Sequence, residues 1–229
     1  MEEQRILQIE AEVVYRNPVT AKRTKQQSFC YTEAQQAAIH TFCEEYRRGK
    51  RGTYLVYGVT GSGKTEVYME MIEHVIAEGK QAIVLIPEIA LTYQTVMRFY
   101  QRFGDRVSII NSRLSKGERY DQMLRAKRGE INVMIGPRSA LFTPFERLGL
   151  IIIDEEHEGT YKSEQTPRYH ARETAIARAA MDGASVVLGS ATPSMEAFYK
   201  AVTGEFRLLR LPERAKQRAM AHVLSLIHI

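Results

Sequence analysis

The chain has 229 residues, 44% hydrophobic and 26% charged, enough to bury one large core with at most a small appendage. Its longest central apolar run, LGLIII at 148–153, is far below the roughly 20 residues needed to cross a bilayer, and the opening MEEQR is acidic where a secretory signal is basic. No membrane or export role is indicated, and the expectation is a cytoplasmic protein. Cys30 and Cys43 are the only cysteines, too far apart for a CxxC motif and too few for a zinc site or a disulfide framework. The net charge of +5 is localised: residues 98–138 hold ten Lys/Arg against four Asp/Glu, and the remainder is about neutral. Such an excess suits a polyanionic partner, although a solvated helical face has the same signature.

Residues 1–30 have weak periodicity and read as a linker or the remnant of an N-terminal neighbour. Thr32 and Gln35 then form a capping-box start for a helix running to about residue 48. Apolar and helical segments alternate from there. TYLVY at 53–57 precedes a helix over 64–78, and AIVLI at 82–86 precedes one over about 92–102. VSII at 107–110 is followed by a helix over about 115–127, then by INVMI at 131–135 and LGLIII at 148–153. A helix over about 171–181 and ASVVL at 184–188 complete the pattern. Strands apolar on both faces and separated by helices predict an α/β fold: a mostly parallel sheet covered by helices on both sides.

Between the first strand and its helix lies GVTGSGKT at 58–65, which satisfies GxxxxGK[ST] in the context that motif requires. Gly58, Thr60, Gly61, Ser62 and Gly63 would bring backbone N–H groups around phosphates at a helix N-terminus. Lys64 would supply charge to the β and γ phosphates of ATP, and the Thr65 hydroxyl would hold Mg²⁺. LIIIDEEH supplies the partner acid, with Asp154 orienting the magnesium shell and Glu155 polarising the attacking water. A rival reading makes Asp154, Glu155, His157 and His170 a transition-metal site, but no HExxH or repeated histidine spacing supports it. LGSATPS at 188–194 is ordinary turn chemistry by itself. The order of phosphate loop, acid-terminated strand and then SAT is that of a RecA-like helicase motor domain.

Together YTEAQQAA, GVTGSGKTEVY, LIPEIALT, IGPRSALFTPF, DEEHEGTYKSEQTPRYHARETAIARA and LGSATPS resemble the PriA family of primosomal replication-restart helicases, in helicase superfamily 2. The resemblance runs over residues 31–211, marking these as the RecA-like ATP-binding domain. It implies an ATP- and Mg²⁺-dependent 3′-to-5′ DNA helicase acting in replication fork restart and primosome assembly. Single-stranded and forked DNA, primosome proteins and single-strand-binding proteins are the partners it implies. By the same resemblance, Gln35 would recognise adenine, although its capping-box role competes with that reading. Thr92, Arg138 and Ser139 would contact the DNA backbone, on loops at the sheet edge where such folds present ligands. The loop after DEEH would sense DNA, with Tyr161 and Tyr169 offering π faces and Lys162, Arg168 and Arg172 offering charge. A plain surface loop is the alternative for that segment. His157 would bridge the acids to Ser190, Ala191 and Thr192 as the coupling element.

The chain departs from the family pattern in places. Asn111-Ser112-Arg113 stands where a His-Ser-Gly-like stretch is usual, so Asn111 is given no function, and Pro137 removes a hydroxyl before Arg138. Residues 212–229 read as a truncated tail at the start of a second motor domain, with the final residues not native. The family's zinc would be held only in the C-terminal part that does not appear. Two other function classes stay open at this stage. RLSKGER at 113–119 faintly resembles a transporter ATPase signature, but lies about 40 residues before Asp154. The chain could also be a DNA-binding fragment with no catalysis of its own.

Overall fold

A computed structural model describes residues 30–214. The expectations for the N-terminal linker and for most of the C-terminal tail lie outside the described residues. Among the described residues a seven-stranded sheet runs in the order β3-β4-β2-β5-β6-β1-β7, and every pairing is parallel. Its strands are β1 (Thr53–Gly58), β2 (Gln81–Leu85), β3 (Val107–Ile109), β4 (Val133–Gly136), β5 (Leu148–Asp154), β6 (Ser185–Ser190) and β7 (Arg207–Leu211). The helices are α1 (Glu33–Arg47), α2 (Lys64–Ala77), α3 (Tyr93–Phe103), α4 (Lys116–Lys127), α5 (Ala171–Asp182) and α6 (Met195–Val202). The expected RecA-like α/β architecture is therefore the one observed. The helix α6 and the edge strand β7 are additions that sequence reasoning did not anticipate.

Alternation along the strands sorts the core into two layers. Val56, Val84, Ile152 and Val187 face α1, α2 and α3, while Leu55, Ile83, Ile151, Val186 and Leu188 face the other side with α5 and α6. Strands buried on both faces contain the β-branched and leucine runs that first marked them. Truncating such a residue, Ile152 for example, costs about 2–5 kcal/mol because the packed sheet closes poorly around the gap. Helix starts are set locally: Thr32 and Gln35 make the capping box of α1, Thr92 caps α3, and Ser115 with Glu118 caps α4. Thr92 is thus one residue before the helix it was expected to begin.

This topology brings distant segments to one edge. Because all strands run the same way, the turns after β1, β2, β4, β5 and β6 emerge together at their C-terminal ends. Asp154 at the end of β5 is in register with Gly189 at the end of β6, and the β1–α2 turn lies beyond β6 on the same edge.

Candidate functional site

Between β1 and α2 the chain turns through Gly61 and Gly63, whose φ of 81° and 79° are left-handed values that favour glycine. Gly63 is the N-cap of α2 and provides no side-chain cap, so the positive end of that helix is open to an anion. Thr60 and Gly61 are exposed, and Thr65 sits half-buried in the first turn of the helix. The buried Lys64 ammonium donates to the Gly58 carbonyl at 2.9 Å, pinning the lysine across the turn. Ser62 is buried, and its hydroxyl oxygen has no hydrogen-bond partner within the protein. An uncapped helix start, a cationic side chain and an orphaned hydroxyl together suit a phosphate chain.

The acids face this turn. Asp154 accepts a hydrogen bond from the Tyr68 hydroxyl at 3.1 Å, and Tyr68 is one helical turn beyond Lys64. Burial raises the Asp154 carboxyl from 3.8 to about 6, and the neighbouring Glu155 charge adds to this, while Lys64 and the Tyr68 hydrogen bond oppose it. A carboxylate held in that poorly solvated position beside a hydroxyl-bearing helix start fits a divalent cation. Glu155 has φ 48°, unusual for a residue with a side chain, and this turns the chain sharply at the strand end. His157 then meets the β6 turn: its Nδ1 is 2.8 Å from Ser190 Oγ, and its Nε2 is 3.5 Å from Thr192 Oγ1. The Glu155 carboxylate lies 3.7 Å from the same Nδ1. The half-buried Ala191 joins Ser190 to Thr192, whose own N–H donates to Ser190 Oγ at 3.0 Å.

Gln35 makes the capping bonds expected of its place at the start of α1. Its Oε1 accepts from Thr32 N at 2.9 Å, and its Nε2 donates to the Ser62 carbonyl at 2.7 Å. Gln35 thereby ties the start of α1 to the phosphate-loop turn. Among the described residues no group of three or more His, Cys, Asp or Glu side chains could hold a metal ion. His170 instead caps α5, accepting from Arg172 N at 3.2 Å, and burial lowers its pKa, with Arg172 acting in the same sense.

Two residues expected to contact DNA do not present themselves. Tyr161 is 1% exposed, and its hydroxyl lies 2.7 Å from the Asp154 carbonyl and 3.1 Å from the Leu85 carbonyl. It is a core residue that fastens the loop beneath the ends of β2 and β5, since an amphipathic ring is as useful inside as outside. Arg172 is also buried, held by Glu156, Glu173, Glu196 and Ser194. Its burial would discharge the guanidinium, but the hydrogen bonds it donates to Glu196 and Glu173 overcome that and hold its pKa above the usual value. With its charge neutralised inside the protein, Arg172 has none to offer a phosphate.

The remaining basic and aromatic residues do gather at the edge. Lys162 and Arg168 are exposed, and with Tyr169 and His170 they line a cavity of about 560 Å³. Tyr169 packs edge-on against the exposed Phe142 ring at 5.3 Å. Arg138 donates to the carbonyls of Thr160 and Lys162, at 3.0 and 2.5 Å, so the turn after β4 grips the loop after β5. Ser139 is exposed beside it. Thr92 is exposed too, but its hydroxyl accepts from Thr95 N at 3.3 Å as the cap of α3.

Several contributors escaped the sequence reading. Glu156, the third residue of DEEH, is 2% exposed and accepts from Ser194 N at 2.6 Å and from Ser194 Oγ at 3.1 Å. Its backbone N–H donates to the Gly189 carbonyl at 3.0 Å. Glu156, Arg172 and Ser194 therefore join the acid turn, the SAT turn and α5 in one buried network, which no spacing rule foretells. Glu88 in IPEIALT accepts from Ser112 N at 3.1 Å, and Asn111 accepts from Arg113 N and Leu114 N in a local turn. Tyr68 was accessible in principle, because a residue four positions after Lys64 shares its helix face.

A glycine turn opening a helix after β1, an acid-ended strand β5 one strand removed from it and a histidine linking that acid to the turn after β6, all on one edge of a parallel sheet, define a RecA-like α/β domain of the helicase kind. A family model described as DEAD/DEAH box helicase matches residues 32–200, and the chain belongs to that family. The replication restart protein PriA of Bacillus subtilis (strain 168) is 49% identical over 213 residues, covering 93% of this chain and 26% of that protein. PriA of Chlamydia pneumoniae is 45% identical over 198 residues, covering 85% and 26% respectively. The chain thus spans about a quarter of the length of these relatives. Among solved structures, RecG bound to a three-way DNA junction superposes with a TM-score of 0.62 at 22% identity, covering 83% of this chain and 25% of that one. The Pyrococcus furiosus Hef helicase domain gives 0.51 at 16% identity, covering 78% and 37%. At these identities the structures establish the fold. No helix among the described residues is long and apolar enough to cross a membrane.

Proposed function

We propose that this chain is the ATP- and DNA-binding motor domain of a PriA-like, ATP-dependent 3′-to-5′ DNA helicase that acts in replication fork restart. The proposed domain occupies residues 31–211, flanked by a linker at 1–30 and the start of a second motor domain at 212–229. The observation that carries the reading is one continuous segment: Asp154 faces the phosphate turn, His157 bonds Ser190, and the following loop is gripped by Arg138. Nucleotide state and nucleic-acid contact would thereby act on the same backbone.

Lys64 and the N–H groups of the β1–α2 turn bind phosphates in this scheme, and Thr65 and Asp154 hold magnesium. Bound magnesium would supply positive charge that stabilises the transferring phosphoryl group. Glu155 orients and deprotonates the attacking water, and His157 passes the state of the site to Ser190, Ala191 and Thr192. The remaining amide hydrogen of Gln35 serves adenine. Thr92, Arg138, Ser139, Lys162, Arg168 and Tyr169 contact single-stranded or forked DNA by charge and stacking. Primosome and single-strand-binding proteins would engage the whole helicase in the cytoplasm, and zinc would belong to the part of the relatives this chain does not span.

The test is ATP turnover with and without single-stranded DNA, together with DNA affinity across a salt series. The reading expects nucleotide binding, steeply salt-dependent DNA affinity and little unwinding by these residues alone. Glu155→Gln should retain nucleotide and abolish hydrolysis. DNA affinity that is missing or indifferent to salt would overturn the nucleic-acid half of the reading.

A further inference from the structure

We infer that Tyr68 and Gly189 are a positioning pair that fixes the Asp154 carboxylate for its cation, an inference that rests on the nucleotide site proposed above. Tyr68 is 1% exposed, and its hydroxyl donates to Asp154 Oδ1 at 3.1 Å. Sequence alone gives α2 no reason to bury a phenol where phenylalanine would pack as well. Burying a hydroxyl is costly unless it is hydrogen-bonded, so the Asp154 contact is what the hydroxyl is there to make.

The space for that hydroxyl comes from the opposite strand. Asp154 and Gly189 are register partners, and a Cβ built on Gly189 would stand 1.5 Å from the Tyr68 hydroxyl oxygen and 2.7 Å from its Cζ. It would also stand 3.4 Å from Asp154 Oδ1. The tyrosine head thus fills the place a side chain at 189 would take. Any residue larger than glycine must displace it from the carboxylate.

The consequence is directional. A carboxylate held at one oxygen loses rotational freedom before a cation arrives, so less is lost on binding, as with other groups that orient metal ligands from behind. Lys64 and Tyr68 lie one turn apart on α2, so one rigid helix sets both the phosphate-binding cation and the orientation of the acid. Tyr68 acts through Asp154 and is a positioning residue.

The experiment titrates magnesium into the 229-residue chain with a fluorescent ATP analogue, and separately measures a fluorescent ADP analogue in EDTA. Tyr68→Phe should raise the half-saturating magnesium concentration about tenfold, within the range found for such supporting contacts. Its ADP affinity in EDTA should stay within twofold of the parent. Gly189→Ala should reproduce the magnesium defect, and the double variant should be no worse than Gly189→Ala alone. A magnesium titration of Tyr68→Phe within twofold of the parent overturns the inference, as does an equal loss of ADP affinity in EDTA. Should Gly189→Ala unfold, Tyr68→Phe decides by itself, because it keeps the packing ring. A parent chain that binds no magnesium nucleotide overturns the site reading itself, a result distinct from an unchanged Tyr68→Phe titration.

Discussion

Replacing Asp154 with asparagine should stabilise the magnesium-free protein at neutral pH, although it removes a residue central to the proposed site. Burial and the Glu155 charge raise this carboxyl from 3.8 to about 6, against the opposing influence of Lys64 and Tyr68. The folded protein therefore holds the Asp154 proton more tightly than the unfolded chain does. Stability from this group is complete below about pH 4 and is lost as pH rises through about 6. At about 1.4 kcal/mol per pH unit the ceiling at pH 7 is about 3 kcal/mol, and partial solvation of the carboxylate reduces it to about 1–2 kcal/mol. Asparagine keeps an acceptor for the Tyr68 hydroxyl and carries no charge. Thermal melts in EDTA should show Asp154→Asn about 2–8 °C above the parent at pH 7, given about 2–4 °C per kcal/mol for a domain of this size. The difference should vanish near pH 4, and magnesium with nucleotide should reverse it at pH 7. A variant that is less stable at pH 7, or whose advantage persists at pH 4, would refute the reasoning.

Arg172→Met should cost about 3 kcal/mol in urea unfolding because it leaves the Glu156 carboxylate buried without its cation, whereas a DNA-contacting arginine would show unchanged stability and weaker DNA binding. Tyr161→Phe should lose about 1 kcal/mol of stability while single-stranded DNA affinity, followed by fluorescence anisotropy, stays the same. Tyr169→Ala should behave in the opposite way, weakening DNA by about 1–3 kcal/mol with a small effect on unfolding, and equal losses in both assays would count against a stacking role.

Legibility followed the range of the interaction. The strands β2, β5 and β6 were readable because burial on both faces demands uninterrupted apolar residues, and α1 was readable because its cap is completed within four residues. The glycine turn after β1 and the acid ending β5 were placed for a similar reason: each belongs to a short contiguous motif at a strand end. His157 meeting Ser190 followed from the family resemblance, not from any spacing. Tyr161 and Arg172 were misjudged because composition cannot distinguish an aromatic or basic residue turned outward from one folded under its own loop. Only the pairing of Arg172 with Glu156, 16 positions away, and with Glu196, 24 positions away, reveals where its charge is spent. The Tyr68 socket at Gly189 is further out of reach, since it depends on the β5–β6 register. The helix α6 and strand β7 went unnoticed because they are short, with α6 leaving Met195, Tyr199 and Val202 exposed and β7 lying at the sheet edge.

Every role proposed for this edge of the sheet depends on the β1–α2 turn holding a nucleotide. Equilibrium titration of a fluorescent ATP analogue with magnesium onto the 229-residue chain, beside its Lys64→Ala variant, tests that dependence most directly. Saturable binding by the parent, weakened at least about tenfold when the lysine that spans the turn is removed, is the predicted result. No binding by the parent, or equal binding by both proteins, would contradict it.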